Sequence, residues 1–153
     1  MARYNSIFAG PFTEARPQVH EALASVAILP GLAIVLDADG EFALAGPATS
    51  GRIFIAQDNY LTLSGVDVAW GVGETTIGLI SLDEQLFNVR VADGFEVIKG
   101  EPVALAANGY FAPAATGDYV VGFAEESFTN ASGADDLVRI RAANGFVLAN
   151  SGS

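Results

Sequence analysis

The chain has 153 residues, of which 51% are apolar and only 16% charged, and it carries a formal net charge of −11. It contains no cysteine, which excludes a disulfide or thiolate-metal scaffold, and the excess of acids speaks against a nucleic-acid partner, which demands basic patches. Average chains carry about 25% charged residues, so this composition predicts apolar surface covered by other chains, with the net charge keeping the free subunit dispersed.

No apolar run reaches the length of about 18 residues that would span a bilayer, so no membrane partner is expected. No apolar stretch of signal-peptide type follows Arg3. The chain is therefore expected to be made in a cytoplasm and not secreted.

Residues 1–16 show no period and carry Tyr4, Phe8 and Phe12 between Arg3 and Arg16. Such a segment buries too little apolar surface to offset a backbone ordering cost of about 1–2 kcal/mol per residue. It predicts an extended arm that orders against a neighbour, for instance by strand addition to a sheet edge. Pro17 to Ser25 predicts a short helix, because proline suits the first helical turn. Residues 1–29 thus form an N-terminal arm, and Pro30-Gly31 opens a body over 30–153.

Within the body one turn recurs, as Asp39-Gly40, Asp93-Gly94, Asn108-Gly109 and Asn144-Gly145, each followed closely by a phenylalanine: Phe42, Phe95, Phe111 and Phe146. Asp-Gly and Asn-Gly between apolar runs predict hairpins with type I′ turns, which need φ > 0 at both central residues. The flanking runs alternate with a period of two, as in Phe87, Val89 and Val91 around Asn88 and Arg90, and Val138 and Ile140 around Arg139 and Arg141. The arginines are expected on a solvent or partner face.

Gly31 through Ala45 matches Gly100 through Ala114 at an offset of 69, and Phe87 through Val97 matches Val138 through Leu148 at an offset of 51. Both matches predict an approximate internal duplication. The difference between the offsets, 69 minus 51, leaves 18 extra residues in the first half, between about residues 57 and 84. This insertion holds Tyr60, Val72 and the single tryptophan, Trp70. Long loops in compact domains are often functional and tryptophan is favoured at interface centres, so Tyr60, Trp70 and Val72 are candidates for an interface with another chain, a second copy or a larger assembly. Trp70 capping the core is the alternative.

The sequence offers little to reaction chemistry. It has one histidine, His20, no Gly-x-Ser-x-Gly elbow and no phosphate-binding glycine loop. Asp37, Asp39 and Glu41 resemble the start of a calcium loop but lack its spaced closing ligands. Glu125-Glu126 and Asp135-Asp136 flank a loop containing the sequon Asn130-Ala-Ser132. The expectation is a protein that is not an enzyme, with no cofactor, no metal and no catalytic residue.

The run Ala27 to Gly31 with the strand and Asp39-Gly40 turn after it, Gly100 to Val103 with Asn108-Gly109 and Pro113, Ala115 to Ala124, and Leu137 to Arg141 resemble the capsid decoration (cement, head-stabilising) proteins of tailed bacteriophages over roughly residues 27–148. The resemblance implies an all-β fold: a compact β-barrel or β-tulip-like body, here built from duplicated hairpins, with an extended N-terminal arm. It implies a location on the outer capsid surface of a virion. It implies the major capsid protein as partner, contacted through Arg3, Tyr4, Phe8 and Phe12, and self-association as a homo-oligomer, a trimer before a dimer. The duplicated hairpins and the insertion depart from the shorter lambda-type members. Two other classes fit the same composition: a receptor-binding or fibre-associated β-domain of a virion, and a ligand-binding barrel lined by phenylalanines.

Overall fold

A computed structural model describes residues 2–10, 17–49 and 51–149. Among them the protein is all-β. The strands are β1 (Phe8–Gly10), β2 (Val19–Leu23), β3 (Ala33–Leu36), β4 (Phe42–Leu44), β5 (Phe54–Ala56), β6 (Thr75–Ile80), β7 (Leu86–Val91), β8 (Glu96–Val97), β9 (Pro102–Leu105), β10 (Phe111–Pro113), β11 (Tyr119–Ala124), β12 (Phe128–Thr129) and β13 (Asp136–Val147). Two short 3-10 turns, Tyr60–Thr62 and Ala107–Gly109, are the helical elements among the described residues.

The larger sheet runs β1-β7-β10-β9-β11-β13 and closes on itself, because β13 also pairs with β7. Strands β7, β10, β9, β11 and β13 therefore form a closed five-stranded barrel, sealed by one parallel pair, Phe111 with Val91. The second sheet runs β2-β6-β5-β3-β4. Its ends meet through a parallel bridge between Ala24, just after β2, and Phe42 of β4.

The two sheets share one connectivity. Numbering each set of five strands in chain order, both have the spatial order 1-5-4-2-3, with strand 3 returning parallel to strand 1. The hairpin at the centre of each keeps its register: Leu36 faces Phe42 as Leu105 faces Phe111, and Ile34 faces Leu44 as Val103 faces Pro113. The match at an offset of 69 is thus a repeat of fold. The match at an offset of 51 is not part of it, since it aligns β7 with β13, which are paired neighbours in one barrel.

The four turns divide. Asn108-Gly109 is a hairpin tip in the I′ conformation, with φ 58° and 76°. Asp39-Gly40 is also a tip, but only Gly40 is left-handed, and the Asp37 carboxylate accepts the N–H groups of Asp39 and Glu41 instead of turning toward a cation. After Asp93-Gly94 the chain leaves the barrel, and β8 pairs with β12. Asn144-Gly145 lies inside β13, where the five residues Ala142 to Phe146 face the three residues Val120 to Gly122 of β11. It is a bulge and not a hairpin tip, because the β11 ladder continues on both sides of it.

The expected helix over 17–25 is strand β2, held by a five-pair antiparallel ladder to β6 from Val19–Leu79 to Leu23–Thr75. Residues 2–10 are packed on the body. Ile7 is fully buried, Phe8 is 6% exposed with its ring edge-on to Phe87 at 5.7 Å, and Ile7 accepts the Asn88 N–H.

Two clusters make the core. Ile34, Phe42, Phe54, Ala56, Ile77 and Trp70 fill the first five-stranded unit. The other cluster joins the closed barrel (Phe87, Val89, Val91, Val103, Leu105, Phe111, Val121, Val138, Ile140) to Ala33, Ile53, Ile55 and Leu79 from the first unit. The alternation of β5 places Phe54 in one cluster and its neighbour Ile55 in the other, so the two units share a wall.

Candidate interaction surface

The insertion is held at its base and exposed at its tip. Trp70 is 4% exposed, its Nε1–H donates to the Gln57 carbonyl at 2.7 Å, and its backbone exchanges hydrogen bonds with Ile28. The indole is thus occupied within the subunit, and of the three insertion candidates only Tyr60 (53% exposed) and Val72 (70%) present side-chain surface. Leu61, Leu63 and Val68 are exposed with them. Leu63, the most exposed at 92%, ends the 3-10 turn in the left-handed conformation at φ 58°. A leucine with both features is uncommon. The Asn59 side chain caps this turn, and Thr62 and Ser64 share a hydroxyl hydrogen bond.

A second fixing point is Arg90, 1% exposed on β7. Its Nε–H donates to the Pro30 carbonyl at 2.8 Å, a second nitrogen donates to the Val66 carbonyl, and its guanidinium pairs with Asp67 at 3.0 Å and Asp135 at 3.2 Å. This corrects the expected solvent or partner face for that arginine. The insertion, the Pro30-Gly31 turn and Asp135 together cover the outer face of β7, so the strand is buried on both sides. The Arg90 hydrogen bond holds the Asp67 carboxyl below the ordinary range. Burial, then the hydrogen bond to Asp135, pushes the Tyr110 phenol up. Arg139 and Arg141 lie on the outer side of β13, and Arg141 pairs with Glu125 at 3.0 Å. That hydrogen bond holds the Glu125 carboxyl low.

The N-terminal segment lies beside the insertion. Ala2 N–H donates to Asp67 at 3.2 Å, and Arg3 N–H donates to Asp136 at 2.9 Å. The guanidinium groups of Arg3 (5.3 Å) and Arg139 (4.8 Å) both lie over the Tyr4 ring, and its hydroxyl donates to Glu126. Burial, then that bond, raises the Tyr4 phenol. Arg3 also stacks on Phe128 at 4.0 Å and pairs with Glu126.

Two grooves follow. One of about 520 Å³ runs between Ala2–Asn5 and Gly65–Val68. The other, about 500 Å³, is lined by Phe8, Pro17, Val19, Gln57, Tyr60 and Leu79. Arg3 and Tyr4 are therefore brought together with the insertion, and Phe8 with Tyr60, while Phe12 lies outside the described residues. Asp58 adjoins the second groove through Gln57, and burial raises its carboxyl.

Sequence reasoning does not single out Leu63, and it places Arg90 on an outer face without marking it as buried. The Tyr-Leu-Thr-Leu run carried an apolar signal for Leu63, whereas nothing local marks Arg90 as buried. The sequon is closed to modification: Asn130 is 1% exposed and its amide donates to the Ala92 and Ala134 carbonyls. Among the described residues no group of three or more His, Asp or Glu side chains is placed to hold a metal ion.

No protein-family model matches the sequence, and no curated protein matches it. Among solved structures the chain is similar to the N base of head fiber gp8.5 from bacteriophage phi29. The TM-score is 0.55 and the identity 15%, over 86% of this chain and 98% of that one. The likeness is one of fold, and it spans both five-stranded units.

Proposed function

We propose that this protein is a structural component of a tailed-phage virion that sits on the outer surface of the head. There it binds the major capsid protein and stabilises the shell as a decoration protein. The observation that carries the reading is the fold shared with the base of a phage head fiber over nearly the whole of that base. The exposed apolar tip supports it. Tyr60, Leu61, Leu63, Val68 and Val72 project from a loop fixed by Trp70 and Arg90, and a pre-ordered apolar contact loses little entropy on binding. The role is mechanical, with no reaction and no cofactor.

The same neighbour favours a second reading, that the chain is the base of a head fibre. Cryo-electron microscopy of heads reconstituted with the purified chain tests both. Density at every equivalent position of the shell, with raised resistance of the heads to heat, is expected of a decoration protein. Density at a small set of positions, with shell stability unchanged, would replace decoration by the fibre reading. No density on any head would overturn both.

A further inference from the structure

The repeat of fold exposes an asymmetry at one strand edge. Phe42 and Phe111 are equivalent, and their parallel partners are Ala24 and Val91. Val19–Ala24 is therefore the counterpart of Leu86–Val91, with Glu21 matching Asn88 and Leu23 matching Arg90. In the closed barrel the outer edge of β7 is occupied. Asn88 N–H donates to Ile7, Arg90 N–H donates to Gly31, and β1 pairs antiparallel with Leu86 and Phe87.

On β2 the corresponding edge is open. The bonds Ile80 N–H to Gln18 and Ala24 N–H to Glu74 fix the ladder parity, so Gln18, His20, Ala22 and Ala24 bond to β6. The backbone groups of Val19 and Glu21 and the N–H of Leu23 point the other way and have no backbone partner among the described residues, while the Leu23 carbonyl is taken up in the parallel bridge to Phe42. Their side chains are exposed as well, Val19 at 50% and Leu23 at 44%. Natural edges are often shielded by proline, lysine or a covering segment; β2 contains neither residue, and no segment among the described residues pairs with its outer edge at Val19 and Glu21.

We infer that the outer edge of β2 is a docking site for an extended segment of another protein, added antiparallel as β1 is added to β7. The charge pattern identifies the segment. Two copies of β2 paired about their centre would set Glu21 against Glu21 between subunits that each carry −11, and like charges directly opposite are destabilising. The fitting partner is a strand with Lys or Arg opposite Glu21 and apolar residues opposite Val19 and Leu23. The backbone supplies affinity and these positions supply register. The inference stands on the fold alone and is independent of the virion reading.

The test uses the full chain and two blocked peptides of alternating threonine and valine, one with a central lysine and one with a central glutamate. Amide hydrogen exchange is read by NMR. The lysine peptide should slow exchange at Val19, Glu21 and Leu23 and bind roughly two- to fivefold more tightly than the glutamate peptide, the scale of one cross-strand charge pair. Glu21→Lys should reverse the preference. Glu21→Pro, which removes an outward N–H and leaves the β6 ladder intact, should abolish the slowing while His20 and Ala22 stay protected. If that variant does not fold, the charge reversal carries the test. The inference is overturned if neither peptide slows these amides up to its solubility limit. It is equally overturned if they are protected without peptide in proportion to protein concentration, which would make a second copy the occupant.

Discussion

At the scale of single residues, Arg90 is the side chain on which most of the site depends. It joins the insertion, the Pro30-Gly31 turn and the Asp135 loop to β7 through four contacts, one each to Pro30, Val66, Asp67 and Asp135. Arg90→Met keeps much of the volume but leaves two carbonyls and two carboxylates without this partner. The expected loss is about 3 kcal/mol, read from the urea midpoint, and a change under about 1 kcal/mol would mean that solvent already satisfies these groups. Sequence periodicity placed Arg90 outward, which is correct for the barrel interior. It could not show that a segment more than twenty residues away covers the outer face, because burial of that face is a non-local fact.

The neighbouring carboxyls respond to pH in opposite senses. Asp67 and Glu125 are held low, so their contribution is present above the unfolded carboxylate range and is lost as pH falls through their folded values. Asp58 is raised by burial, so its ionised form opposes folding at neutral pH. Asp58→Asn retains an acceptor for the Gln57 amide. It should stabilise the protein at pH 7 by less than about 1 kcal/mol. The gain should shrink as pH falls through the range in which Asp58 takes up its proton. A gain that is constant with pH would remove the electrostatic explanation.

At the scale of elements, the two repeated hairpins were legible because their turns are local signals: a glycine that must be left-handed between apolar runs. The surroundings of those turns were not. A Cβ on Gly109 would lie 2.6 Å from the Ala33 carbonyl oxygen, whereas one on Gly40 meets nothing within 4 Å, though both have φ near 77° (76° and 78°). Gly40→Ala should therefore cost about 1 kcal/mol for conformation alone. Gly109→Ala should cost at least twice that, since it also separates the two units at their contact. Equal losses would show that the contact yields freely.

Strand β2 was misread as a helix for the complementary reason. Proline at its start and two turns of length suited a helix, while its actual support is the ladder to β6, more than fifty residues away. The insertion tip makes a different prediction. Leu63→Gly relieves a left-handed leucine, so stability should stay level or rise by up to about 1 kcal/mol. Binding to heads should weaken. A fall in stability would assign Leu63 to the fold.

At the scale of the whole molecule, the duplication visible in sequence suggests two independent halves, and the packing argues otherwise. Ala33, Ile53, Ile55 and Leu79 of the first unit share a cluster with Val89, Val103, Phe111 and Ile140 of the closed barrel. The N-terminal segment adds Ile7 and Phe8 to that cluster by way of β7, so it serves the second unit while preceding the first in the chain. Dividing the chain between the units would expose this shared wall on both pieces and would remove β1 from the barrel it edges.

Thermal unfolding should accordingly show one calorimetric transition, with van't Hoff and calorimetric enthalpies equal. Ile7→Ala, which opens a cavity in the shared cluster, should move that single transition by about 2–4 kcal/mol without splitting it. Trp70→Ala in the other cluster should shift the same transition, although no side chain there belongs to the closed barrel. Two resolved transitions, each sensitive to only one of these substitutions, would show that the units fold separately and that the shared wall contributes little.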